Sequence, residues 1–224
     1  MPLHGPVIVS FSGVDGAGKS TQISALLSLL KKAELTYSLY TFWDDVVALA
    51  PLREKMSHKV FRGEQGVGSP SKPIRRRDKN VTTWYATLLR CLLYGLDAIK
   101  LRRFFRKLDS ANDVIIFDRY LYDELANLPL ANKIVRVYVR GILRCIPVPH
   151  VRLLLDAVPE SAISRKPEYP LDFVKRNRAA YIQMSRIAQM SVIPSGPIES
   201  TAATIRELVF PQGLVPESVT AKIG

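Results

Sequence analysis

The residues with the clearest chemical potential form a glycine-rich stretch near the start of the chain. Gly13, Gly16 and Gly18 precede Lys19 and Ser20 with the spacing G-x-x-x-x-G-K-S. Glycines let a backbone wrap closely around phosphate oxygens, while the lysine suits the β- and γ-phosphates and the hydroxyl suits Mg²⁺. The stretch predicts a P-loop for ATP and Mg²⁺, with the nucleotide-binding residues Gly13, Val14, Asp15, Gly16, Ala17, Gly18, Lys19, Ser20 and Thr21.

Two carboxylates could act beside the phosphates. Asp15 lies inside the loop, where it could face an acceptor or a water, or only stabilise the turn. Asp118 ends the apolar run Val114–Phe117, at the place where P-loop enzymes hold the metal ion. Arg119 could clamp phosphate oxygens, or pair with Asp118 as a strand cap. We therefore predict catalytic roles for Asp15, Lys19, Asp118 and Arg119, and metal ligation by Ser20 and Asp118.

The elements that must position these residues alternate along the chain. Apolar runs predict strands over residues 7–11, 36–42, 114–117, 151–155 and 192–193. Helical spacing predicts helices over residues 21–33, 83–107, 133–144, 159–165, 171–190 and 201–208. Such alternation predicts a parallel sheet covered on both faces, with ligands bound at the carboxyl ends of the strands. The glycine loop and Asp118 both fall at such ends.

Composition restricts the class of protein. The chain has 224 residues, of which 47% are hydrophobic and 23% charged, which fits one large domain or two small ones and argues against a disordered chain; we assign residues 1–224 to a single domain. Residues 62–80 form an irregular insertion, and residues 211–224 a loose tail. The net charge of +12 is typical of a protein with a polyanionic partner, or of a basic solvated surface.

The chain shows no pattern for export or for a membrane span. Residues 1–5 lack a basic segment followed by an apolar run, and no apolar run approaches the length of a membrane-spanning helix. The two cysteines, Cys91 and Cys145, provide neither a disulfide framework nor metal-ligand spacing. We therefore expect a cytoplasmic protein.

Together these motifs resemble the thymidylate kinase family of nucleoside-monophosphate kinases, and the similarity covers most of the chain in the right order. The segments that carry it are the opening at 11–21, the Asp-Arg-Tyr motif at 117–120, the strand and helix before the lid at 154–165, and the last strand with the adenine loop at 192–199. The resemblance implies a three-layer α/β P-loop NTPase fold. Its sheet would have five parallel strands in the order 2-3-1-4-5, with a short lid over residues 165–170.

The lid is where the resemblance implies a further catalytic cation. Some members of the family carry an arginine inside the P-loop, at the position that Gly16 occupies here. The chain resembles the type whose arginine comes from the lid, which makes Arg165 the candidate and Lys166 a second one. The physical requirement is to neutralise the transferring phosphoryl group while water is excluded.

Around the presumed acceptor pocket the chain departs from the family pattern. An acid often stands in the family where this chain has Ser12, whereas Asp123 occupies the place of a family serine. The family's Arg-Glu-Pro-Gly loop is replaced by Phe42–Asp45, and Ala98 stands where a phosphate-binding arginine is expected. Nearby cations and aromatic rings could compensate. The candidate acceptor-binding residues are Trp43, Arg75, Arg90, Tyr94, Tyr120 and Asp123.

Three functions remain open on this basis. The first is a nucleoside-monophosphate kinase with thymidine monophosphate (dTMP) as the default acceptor. The second is a P-loop kinase of a sugar or a modified nucleotide. The third is a P-loop ATP-binding protein that is not a kinase and docks on a polyanion, although the sequence contains no recognised nucleic-acid-binding module. The resemblance also suggests a homodimer.

Overall fold

The computed structural model describes residues 5–47, 83–108 and 111–211. Arg75, the irregular insertion at 62–80 and all but the first residue of the tail at 211–224 lie outside the described residues, so the predictions for them stay predictions.

The sheet has the topology that the sequence implies. Its five parallel strands lie in the order β2-β3-β1-β4-β5, which confirms the expected fold class. The strands are β1 Val7–Ser12, β2 Tyr37–Thr41, β3 Val114–Asp118, β4 Val151–Asp156 and β5 Ser191–Pro194.

The register of the strands determines which residues at their carboxyl ends are neighbours. Phe11 on β1 lies opposite Asp118 on β3 and Leu153 on β4, and Thr41 on β2 lies opposite Asp118 from the other side. The loop after β1 therefore begins beside the carboxylate that ends β3. This edge of the sheet brings together the two motifs that the sequence singled out.

Besides the five strands, the described residues contain seven α-helices and one π-helical turn. The helices are α1 Lys19–Lys32, α2 Trp84–Phe105, α3 Leu121–Leu125, α4 Lys133–Cys145, α5 Pro159–Arg165, α6 Leu171–Ala188 and α7 Ile198–Val209. The π-helical turn, Phe42–Val46, and α3 were not predicted. Each is five residues long, which is too short to show a helical period in the sequence. Across the described residues, no helix is both long enough and apolar enough to cross a membrane.

β3 lies in the buried core up to Phe117. Val114–Phe117 is wholly buried, as expected for a central parallel strand with both faces covered. Phe105 stacks on Phe117 at 5.5 Å between ring centroids, and Tyr120 meets the same ring at 5.4 Å. This aromatic packing fixes the end of β3 and so the position of the Asp-Arg-Tyr motif.

Candidate functional site

The glycine-rich loop joins β1 to α1 and adopts a conformation that requires glycine. Gly13, Gly16 and Gly18 all have positive φ, at 142°, 81° and 92°. A Cβ on Gly13 would lie 2.5 Å from the carbonyl oxygen of Leu155, and one on Gly16 would lie 2.3 Å from that of Ala162. The loop is thus packed against β4 and α5, with no space for a side chain at Gly13 or Gly16.

Lys19 is the buried cation of this loop. It begins α1, is 7% exposed, and donates from Nζ to the carbonyl oxygens of Gly13 at 2.8 Å and Val14 at 3.0 Å. Burial, assisted by the positive charge of Arg119, lowers the pKa of Lys19 to about 8. The ammonium group is therefore ready to exchange backbone carbonyls for phosphate oxygens, which would stabilise its charge far better.

The position predicted for a metal ion has one suitable unpaired oxygen. Among the described residues, Asp118 Oδ1 is buried and accepts no hydrogen bond. A buried carboxylate oxygen without a partner is costly, so a bound cation or its water would be stabilising there. Ser20 is exposed in the first turn of α1.

These two side chains fit Mg²⁺, which takes one or two protein oxygens together with phosphate oxygens and water. A metal site made by three or more His, Cys, Asp or Glu side chains does not occur in the part of the chain that the structure describes.

Arg119 is held between two carboxylates. Its Nη2 donates to Asp15 Oδ1, and its Nη1 donates to Asp123 Oδ1 and to the Tyr181 hydroxyl, each at 3.3 Å. Burial opposes the charge, but Tyr181, Asp123 and Asp15 together raise the pKa of Arg119, which stays cationic. The side chain keeps 20% of its surface exposed, so the guanidinium group can still reach a ligand.

The structure places Asp123 differently from a residue that faces an acceptor. Its side chain is only 3% exposed. The two carboxylate oxygens accept hydrogen bonds from Ser12 Oγ at 2.6 Å, the Tyr120 amide at 3.0 Å and the Tyr181 hydroxyl at 2.7 Å, in addition to Arg119. Asp123 therefore contacts the site through Arg119.

The other predicted acceptor residues are not brought together. Tyr120 is fully buried and donates its hydroxyl to the Pro147 carbonyl at 2.7 Å, so it packs in the core. Arg90 and Tyr94 are buried on α2, and Arg90 donates to the Asn127 carbonyl at 3.3 Å. Trp43, on the π-helical turn, is 40% exposed.

Arg165, the predicted lid cation, lies next to the P-loop. It ends α5, and its Nη1 would lie 3.6 Å from a Cβ built on Gly18. The backbone of the same helix occupies the space beside Gly16, which excludes a side chain from that place in the loop. Lys166 is half-exposed and pairs with Glu168 at 3.2 Å.

Two residues of the site are not predicted from the sequence. Tyr181 lies in the middle of α6, 58 residues from the Asp123 carboxylate that its hydroxyl contacts. Ser12 ends β1 and is completely buried. Tyr181 has no local motif around it, so no sequence signal could have found it. At Ser12 the sequence shows a departure from the family pattern, but nothing in it indicates the contact with Asp123.

Comparisons with known proteins agree with this geometry. No family model matches the chain. It is 26% identical to a thymidylate kinase of Symbiobacterium thermophilum over 85% of this chain and 81% of that protein. It is 22% identical to a probable thymidylate kinase of Archaeoglobus fulgidus over 91% of this chain and 94% of that protein.

A solved structure extends the likeness to three dimensions. The thymidylate kinase of Candida albicans matches with a TM-score of 0.58 and 16% identity, over 92% of this chain and 91% of that one. This likeness shows the fold, and the two sequence relatives carry the same family name over most of the chain. The chain is therefore similar to thymidylate kinases over most of its length, in sequence and in fold.

Proposed function

We propose that the chain is an ATP-dependent kinase that transfers the γ-phosphoryl group of ATP to a nucleoside monophosphate, with dTMP as the default acceptor. The observation that carries the proposal is the meeting of three groups at one sheet edge. These are the P-loop with buried Lys19, the unpaired Asp118 Oδ1 and the partly exposed Arg119. The sequence similarity to thymidylate kinases supports the same reaction class.

In this proposal the P-loop amides and Lys19 bind the phosphates of ATP. Lys19 exchanges the carbonyls of Gly13 and Val14 for β- and γ-phosphate oxygens. Ser20 and Asp118 would hold Mg²⁺, which when bound neutralises part of the phosphate charge. The whole chain, residues 1–224, would act as one kinase domain, in the cytoplasm where ATP is available.

The transfer itself requires charge neutralisation and alignment. An oxygen of the acceptor's phosphate attacks the γ-phosphorus, while the bond to the β–γ bridging oxygen breaks and ADP leaves with that electron pair. Arg119 is suited to bind the acceptor's phosphate because it stays cationic and keeps 20% of its side chain exposed next to the P-loop residue Asp15. Arg165, close to Gly18, would add positive charge from the lid and help to exclude water.

One observation favours a second class of acceptor. Asp123 and Glu124 are both buried on α3, beside the region where the acceptor would bind, and Arg90 already donates to a backbone carbonyl. These acids add negative charge near a site that must accept a second phosphate. A sugar or a modified nucleotide is therefore the alternative acceptor.

A coupled assay of ADP release over a panel of acceptors tests the proposal. The panel contains dTMP, other nucleoside monophosphates and sugars, each with MgATP. We expect dTMP to stimulate turnover well above the rate without an acceptor. Turnover with a sugar alone would favour the alternative. Slow hydrolysis that no acceptor stimulates, together with polyanion binding that weakens steeply with salt, would favour the non-kinase function.

The homodimer implied by the resemblance is also part of the proposal. Apolar side chains recur every four residues on the exposed face of α2, at Trp84, Leu88, Leu92 and Leu96, with exposures of 78%, 54%, 62% and 44%. A face of this kind is the surface on which a second copy would pack. Sedimentation equilibrium of the wild type and of Leu92→Glu is expected to show a dimer and a monomer, respectively.

A further inference from the structure

Asp123 accepts hydrogen bonds at both of its carboxylate oxygens. Oδ1 accepts hydrogen bonds from Arg119 and Tyr181, and Oδ2 accepts from Ser12 and from the Tyr120 amide. The donors come from β1, the loop after β3 and α6. One buried carboxylate thus joins three parts of the chain that are far apart in sequence.

The residue that this network holds has a strained backbone. Arg119 has a φ of 69°, in the left-handed region that is unfavourable for a non-glycine residue. Its amide donates to the Phe11 carbonyl at 2.9 Å. Elsewhere in the described residues, positive φ at non-glycine positions occurs only at Glu34 and Gln189. Both lie just after helices, where this conformation is common. Strain inside a site persists only where surrounding contacts fix it.

We propose that Asp123, oriented by Ser12 and Tyr181, is the positioning residue that sets the direction of the Arg119 guanidinium group. Asp15 and Asp123 bind opposite ends of that group. Its remaining donors are thereby aimed rather than left to rotate. The consequence for turnover rests on the proposed function, in which Arg119 binds the acceptor's phosphate.

Only a carboxylate meets the demands of this position. Four donors converge on Asp123, and a carboxylate is a pure acceptor with enough lone pairs for all of them. An asparagine would turn an NH₂ group toward two of those donors, and a serine could accept from two at most. Tyr181 stays a donor, since burial and the neighbouring Asp123 raise its pKa well above the ordinary value.

The first experiment compares Asp123→Ser with a matched control. Asp113→Ser removes a carboxylate that accepts from Thr36 at the opposite edge of the sheet. With MgATP and the best acceptor, we expect Asp123→Ser to lower kcat/KM for the acceptor about 100-fold, because misdirected binding groups commonly cost this much. KM for ATP should stay within about twofold, and the control should match the wild type. An unchanged kcat/KM in Asp123→Ser would overturn the proposal.

The second experiment supplies the carboxylate from position 12 instead of position 123. The two side chains are in contact, with 2.6 Å between Ser12 Oγ and Asp123 Oδ2. Ser12 Oγ already touches Asp123 Oδ2, so a glutamate at position 12 is long enough to bring its carboxylate to the place of the Asp123 carboxylate. We expect the double variant Ser12→Glu/Asp123→Ser to regain at least about tenfold of the lost kcat/KM. If the double variant melts like the wild type yet is no faster than Asp123→Ser, the carboxylate does not position Arg119.

A readout without turnover separates this inference from the proposed function. In the wild-type chain, the Arg119 guanidinium protons should give a resolved, slowly exchanging NMR signal, because both ends of the group are bonded. Asp123→Ser should lose that signal, whereas Asp113→Ser should keep it. A signal retained in Asp123→Ser overturns the positioning role. A chain that binds ATP but phosphorylates no acceptor overturns only the proposed function.

Discussion

The two sides of the candidate site are built in different ways. The nucleotide side is one continuous stretch, Gly13–Thr21, whose glycines and first helical turn place every expected group locally. The acceptor side depends on contacts between distant residues, such as Ser12 with Asp123 across 111 positions and Tyr181 with Asp123 across 58. The first side can therefore be recognised from a short pattern, whereas the second can diverge by coordinated changes that leave no local signature.

The largest expected effect falls on the nucleotide side. Lys19→Ala should lower turnover on the order of a thousandfold, because it removes the charge beside the β- and γ-phosphates. The circular dichroism spectrum should not change. Steady-state ADP release measures the loss, and Lys31→Ala in the last turn of α1 is the matched control. Comparable activity of the two variants would refute the assigned role of Lys19.

The next largest effect is expected at Asp118, whose carboxylate lies between the two sides. Asp118→Asn should lower turnover about 100-fold and raise the Mg²⁺ concentration needed for half-maximal rate, since it removes the charge at the unpaired Oδ1. A magnesium titration of initial rates checks this. Asp113→Asn, just before the start of the same strand, is the control. A metal dependence like that of the wild type would remove Asp118 from the metal site.

A smaller effect follows from the lowered pKa of Lys19. Without nucleotide this pKa is about 8, and bound phosphates must raise it because they stabilise the ammonium form. Below about pH 8 the affinity for MgATP should therefore be insensitive to this group. Above it, binding must take up a proton, and Kd should rise by up to about tenfold per pH unit.

Calorimetry in buffers of different ionisation enthalpy measures that proton uptake. The Lys19→Arg chain is the control, because a guanidinium group stays charged over this range. A wild-type Kd that stays flat up to about pH 10 would contradict the lowered pKa.

The smallest expected effect concerns the backbone conformation of Arg119, on the acceptor side. Arg119→Gly and Arg119→Ala should abolish activity alike, but the glycine variant should be more stable by about 1 kcal/mol, because alanine keeps the cost of positive φ. Urea unfolding measures the difference. At Gln189, which has a φ of 52° after α6, glycine should again exceed alanine in stability while turnover stays normal. Equal stability of the two Arg119 variants would show that the backbone there is relaxed.

Most of the fold could be predicted from the sequence because its signals are local. The apolar run of β3 and the helical spacing of α1 are long enough to show a period, and the P-loop has a fixed pattern. The order of the strands came from the family resemblance. The π-helical turn and α3 could not be predicted, since each is a five-residue element held in place by tertiary packing.

The site residues also differ in whether a local pattern or a tertiary contact places them. Lys19 and the loop glycines lie where the pattern predicts them. Tyr120 was expected at the acceptor but lies in the aromatic core, because the spacing of a motif does not say which side of a strand end a ring will pack on. The sequence predicts Asp123 as an acceptor contact, whereas its carboxylate bonds to four donors from other elements.

The sequence by itself determined the phosphate-binding loop, the alternation of strands and helices, and the acid that ends β3. Each of these depends on neighbouring residues, whose geometry the backbone fixes over a few positions. Only the tertiary structure decided how Arg119 is held and which acid holds it. Those contacts join β1, α3 and α6, and the folding of the sheet alone brings these elements within hydrogen-bond distance.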